Sequence, residues 1–175
     1  MASSYSTDLK LELMVTGENS GTWGDKTNTN LNLVQQAIAG YEAIDVASAD
    51  VTLAMTNATL SNARNMVLNL TGTLAANRSV NVPDGIEKTY IVADSTTRAG
   101  FTLTIKTVSG TGVAIPAGKT VLVFADGTNV VDVFFMKDLV EDTTPQLGGN
   151  LDANGNNILI DSGNFIGDEN GLEQV

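Results

Sequence analysis

The sequence predicts a mainly β protein: a short N-terminal arm and one helix, an antiparallel β-sandwich of jelly-roll type, and a C-terminal repeat of very short strands. Three observations predict it. Hydrophobic residues make up 42% of the chain but aromatics only 5%, so the core must be built from aliphatic and β-branched side chains, the types that fit a pleated sheet. Apolar residues recur with period two from Tyr41 to Met136, the signature of half-buried strands. Turn residues punctuate that stretch about every 8–12 residues, the spacing of short strands in sandwiches. The organisation read from these changes of character is an arm and helix over 1–40, a sandwich over 41–137, and a linker with repeat over 138–175.

The arm alternates Leu9, Leu11, Leu13 and Val15, then breaks into a glycine-rich loop, 17–24, that holds Trp23, the single Trp of the chain. A helix follows from about Lys26 to Gly40. Leu31, Val34 and Ile38 recur at helical spacing, with Ala37 beside them. Asp25 or Thr27 suits the N-cap, and Gly40 suits a left-handed C-terminal position. The other side carries Asn32, Gln35 and Gln36, amides able to face water or to pair with symmetry-related copies. Trp23 and the Leu31, Val34 and Ile38 face are the candidate assembly and attachment residues. A Trp next to the helix start serves better as an apolar anchor than as a platform for sugar rings.

Nine strands are expected at 43–46, 51–55, 66–70, 79–82, 89–93, 102–107, 113–115, 120–124 and 130–136. Pro83-Asp84-Gly85, Ala99-Gly100, Ser109 to Gly112, Pro116 to Gly118 and Asp126-Gly127 separate the later ones. An acidic linker, 138–146, leads to a segment in which a Gly-Asn pair is followed three times by a short apolar run. Leu151, Ile158, Ile160, Phe165 and Ile166 form the expected core of this repeat. Such a unit cannot bury its apolar face alone, because an isolated hairpin is marginal in water. Winding equivalent units from several chains about one axis solves the problem, and threefold symmetry suits a fibre.

Nine Lys and Arg stand against twenty Asp and Glu, a formal net charge of −11. The basic residues are scattered, so neither phosphates nor anionic lipids meet the clustered cations they require; no nucleic-acid or membrane partner is expected. The absence of His and Cys excludes Ser–His and Cys–His nucleophiles, Cys/His zinc sites and disulfides. The N-terminus lacks a basic n-region with a long apolar run, and no stretch approaches a membrane span, so synthesis in the cytoplasm is expected.

Motif tests lead to the same structural reading, with no catalytic residue, cofactor or metal expected. The stretch 110–120, GTGVAIPAGKT, has Val113 where a phosphate loop needs Gly, Pro116 where it needs an amide, and a strand where it needs a helix. Asp152, Asn154 and Asn156 have calcium-loop spacing, but Asn157 and Gly163 replace the required Gly and Glu. A looser cation site at Asp152, Asn154 and Asp161 competes with plain solvated turns. The acidic group Asp126, Asp132, Asp138, Glu141 and Asp142 lacks the aromatic platforms of a glycosidase groove. Asn57, Asn69 and Asn77 match the glycosylation pattern, but without a signal peptide they read as strand-edge polar residues.

Several segments, in this order, resemble virion and tail-fibre proteins of marine tailed phages of cyanophage or pelagiphage type. They are TGENSGTWGDKTNTNL (16–31), LTGTL (70–74), the run 77–83, GTGVAIPAGK (110–119), DGTNVV (126–131) and TTPQLGGNLDANGN (143–156). The resemblance covers nearly the whole chain. It implies a non-enzymatic homotrimer on the virion, made in the host cytoplasm and held by other virion proteins, tail or adaptor, or capsid in the case of a head decoration. Contact with host glycans would be indirect. Fibres of this kind run longer and end in a receptor-binding tip, whereas this chain stops at Val175, which favours an anchoring or adaptor role, or a truncated fibre. A carbohydrate-binding module is the competing reading and requires Tyr90, Phe101 and Phe134 to face outward.

Overall fold

The computed structural model describes residues 2–133. The protein there is mainly β, with one long helix and three sheets. In chain order the elements are β1 (Ser4–Tyr5), β2 (Glu12–Leu13), α1 (Trp23–Ala39), β3 (Tyr41–Asp45), β4 (Val51–Thr52), a 3-10 turn (Asn62–Arg64), β5 (Val67–Thr73), β6 (Arg78–Val82), β7 (Glu87–Thr97), β8 (Leu103–Thr107), β9 (Gly112–Ala114), β10 (Thr120–Asp126) and β11 (Val130–Asp132). Each of the nine expected strands has a counterpart among the described residues, the last of them only in part, since 134–136 lie outside those residues. The expected core of the repeat, Leu151, Ile158, Ile160, Phe165 and Ile166, lies outside the described residues. The arm, the helix and the β region share one compact unit, Met1–Phe135.

β1 and β2 form a small hairpin. The other strands make a five-stranded sheet in the order β11-β10-β7-β5-β3 and a four-stranded sheet in the order β4-β6-β8-β9. Inner-face residues alternate with outer ones, as the pleat requires. Ile44, Leu68, Leu70, Val92 and Val123 from one sheet meet Val80, Val82, Leu103 and Ile105 from the other in a single core. Burying that many aliphatic side chains, at about 1.5–3 kcal/mol each, is what holds the sheets face to face.

The pairing differs from the antiparallel jelly roll expected. β3 with β5, β5 with β7, β4 with β6, and β6 with β8 are all parallel. From β3 to β8 the chain visits the two sheets alternately, so each circuit adds one strand to each sheet, as in a solenoid. Within the two large sheets antiparallel pairing enters only at the far side, through β9 on β8, β10 on β7 and β11 on β10. The cause lies in the turns. Pro83-Asp84-Gly85 carries the chain from one sheet to the other instead of folding it back on its neighbour. Gly85, at φ 69°, donates its N–H to the Gly127 carbonyl, and Asp84 accepts from Ser109 N and Oγ. Asp126-Gly127 does form a hairpin, its Asp126 carboxylate accepting from the amides of Thr128 and Asn129.

The helix begins three residues earlier than expected, with Thr22 rather than Asp25 or Thr27 at the N-cap. Gly40 is extended, at φ −72° and ψ 144°, and not left-handed. The chain runs straight from α1 into β3, and glycine is needed there for space: a Cβ would collide with the Gln36 carbonyl and the Asn65 side chain.

Candidate assembly surface

The arm is stitched to the β region by Arg64, which is fully buried. Its Nε donates to the Leu9 carbonyl at 3.0 Å, Nη2 to the Thr56 carbonyl at 2.7 Å, and Nη1 to Gln36 Oε1, Ser61 Oγ and the Thr59 carbonyl. One guanidinium thereby ties the arm, the helix and the 56–61 loop together. All its partners are neutral, and burial lowers its pKa. Further stitches are Asp8 to the Glu87 amide and the Lys10 carbonyl to the Ala58 amide.

The helix is held along one side. Asn30 exchanges two hydrogen bonds with the Glu12 backbone, and Lys26 Nζ lies 3.0 Å from Glu12 Oε2. That contact, with help from Ser3, holds the Glu12 carboxyl below the usual range. Leu33, 1% exposed, and Ala37 complete this side. Lys26, Asn30, Leu33 and Ala37 follow the i, i+4, i+7, i+11 spacing of a single helical stripe.

About a quarter-turn round the axis lies a second stripe: Trp23, Thr27, Leu31, Val34 and Ile38. Trp23 is 65% exposed, Leu31 60% and Ile38 72%, with Val34 half-buried. The residues singled out in the sequence are therefore brought onto one face, and that face is left uncovered by the chain's own β region. Leu33 was missed as the buried anchor. Its partner Ala37 and the polar Asn30 and Lys26 share its spacing, but nothing in that pattern says which stripe the fold will cover. The loop before the helix is shaped by Gly17 and Gly21, at φ 84° and 82°, and by Glu18, whose carboxylate accepts from Ser3 N and Oγ.

The amide side, Asn32, Gln35 and Gln36, borders a shallow hollow with Gly40, Tyr41, Leu60 and Asn65. Gln36 is occupied by Arg64 and Ser61, and Asn65 by Glu42 and the Asn62 carbonyl. On the other flank Ile38 and Ala37 share a hollow with Leu9, Met66, Lys88 and Thr89. Lys88 is buried; its ammonium donates to the Asn65 and Thr89 carbonyls and sits 4.3 Å from the Tyr90 ring centroid. Burial lowers its pKa to about 8 and pushes the Tyr90 phenol upward.

The other sequence candidates disperse. Tyr90 is buried, its hydroxyl donating to the Ala63 carbonyl, so it does not face outward. Phe101 is on the surface, and Phe134, Asp138, Glu141, Asp142 and the Asp152, Asn154, Asp161 trio lie outside the described residues. Asp126 is spent on its turn. Among the described residues no cluster of carboxylates is placed to hold a metal ion, and no helix is long and apolar enough to cross a membrane. The 110–120 stretch forms β9 and a turn, then enters β10. Comparison with known proteins finds no matching family model, no similar curated protein and no similar solved structure.

Proposed function

We propose that the chain is a non-catalytic structural subunit of a tailed-phage virion, of tail-fibre type, which anchors to the particle and forms a homotrimeric spacer or fibre base. The carrying observation is the uncovered apolar stripe of Trp23, Leu31 and Ile38 on a helix whose other side is pinned to the β region. An apolar helix face of this kind is a docking element that fits into a groove, and pinning the helix beforehand lowers the ordering cost of docking. The resemblance of segments 16–31 and 143–156 to phage virion proteins supplies the biological setting. In this reading the linker and repeat, 138–175, start a trimeric fibre stem. The carbohydrate-binding alternative loses one of the aromatic platforms it needs, because Tyr90 is buried.

The test uses particles assembled with the full chain or with a Trp23→Ser, Leu31→Asn, Ile38→Asn triple variant. The variant chain should fold as the wild type does and be depleted from purified particles. Normal incorporation would remove the anchoring role. Failure of the wild-type chain to co-purify with any particle would remove the virion assignment.

A further inference from the structure

The outer faces of the two large sheets differ in chemistry. On the four-stranded sheet the outward positions are Thr52, Ser79, Asn81, Thr104 and Lys106, with Gly112 and Ala114 on the edge strand. This is a surface built for water. The outward face of the five-stranded sheet carries an apolar row that crosses four strands, β3, β5, β7 and β10, and ends beside Val133 just past β11. Tyr41 pairs with Val67, Val67 with Ile91, and Ile91 with Leu122, and the Leu122 carbonyl accepts from Val133 N. The row beside it runs from Thr89 to Phe124 to Val131. Tyr41 is 58% exposed and Val131 43%. Charge on this face is confined to its margins, at Asp45 and at the paired Glu87 and Asp126.

We propose that this face is the interface between copies of this chain. The inference rests on the homo-oligomer reading given above and adds the surface that makes it. Electrostatics selects the occupant. Copies carrying a formal net charge of −11 each repel one another unless they meet through uncharged surface, and this face offers an apolar band with acids only at its edges. Five strands at the usual spacing, about five residues long, present roughly 400 Å², about half of the roughly 800 Å² that each partner gives to a standard interface, and the helix stripe stays free to dock on the particle.

The chain has no cysteine, so a single introduced thiol is a clean reporter. In the full chain, Tyr41→Cys and Val131→Cys should react with a maleimide at least about tenfold more slowly than Thr52→Cys on the opposite sheet. That protection should deepen with protein concentration. In parallel, a Tyr41→Glu, Val131→Glu double variant should sediment as a monomer at concentrations where wild type is oligomeric, with an unchanged circular dichroism spectrum. Equal labelling at all three positions in an oligomeric wild type overturns the interface while leaving the oligomer standing. A wild type that is monomeric at every concentration removes both. Protection in a species that sediments as a monomer also overturns the proposal, since the cover would then belong to the same chain.

Discussion

At the scale of single residues, two buried cations shape the protein's stability. Arg64 satisfies three backbone carbonyls and two side chains with one planar group, and replacing it strands those acceptors in the interior. Leaving buried acceptors unpaired is costly. Arg64→Met is therefore expected to lower unfolding stability by about 3 kcal/mol, measured by urea titration, and to expose the arm to limited proteolysis. Lys88 has a different consequence. Between pH 8 and its ordinary pKa of 10.5, the folded protein has released this proton while the unfolded chain still holds it, so stability rises with pH across that window. Relative to Lys88→Met, wild type should gain about 2 kcal/mol between pH 7.5 and 10. A difference between the two proteins that stays flat with pH would contradict a desolvated ammonium. The buried phenol of Tyr90 works in the opposite sense above its ordinary range and is common to both proteins. Neither cation was legible in the sequence, because isolated basic residues in polar stretches look solvated.

At the scale of elements, the helix has one apolar stripe and one mixed stripe, and the fold buries the mixed one. This gives a contrast that thermal or chemical unfolding can read in the isolated protein. Leu33→Ala should cost about 2–4 kcal/mol, as buried truncations do, whereas Leu31→Asn or Ile38→Asn should cost under about 0.5 kcal/mol. Gly40→Ala should also destabilise, because the added methyl meets the last turn of α1 and Asn65. The spacing of Leu31, Val34 and Ile38 made the helix and its candidate face legible. Which face the chain would bury was not, since that depends on Glu12, Gln36 and Arg64, residues brought together by tertiary structure. The strands were legible for the opposite reason: period-two alternation is local and survives any topology.

At the scale of the whole molecule, strand direction was the part that sequence could not supply. Pro83-Asp84-Gly85 and Asp126-Gly127 are equally good turns, yet one crosses between sheets and the other closes a hairpin. Both keep the apolar face inward, so periodicity cannot separate them. Topology does predict a gradient of local stability. β7 is flanked by β5 and β10, whereas β4 is a two-residue edge strand. In stacked turns each layer depends on its neighbours. Amide exchange monitored by NMR should therefore be slowest in β7 and β5, and faster by orders of magnitude in β4 and the β1–β2 hairpin.

The direct passage from α1 through Gly40 into β3 has a mechanical consequence. Tension applied to the helix along the strand axis enters the sheet at Tyr41 and is carried by the β3–β5 ladder, whose five registered pairs run parallel to the pull. Those bonds are strained together in shear and are not peeled open one after another. A subunit loaded at that end would resist extension with the strength of the whole ladder.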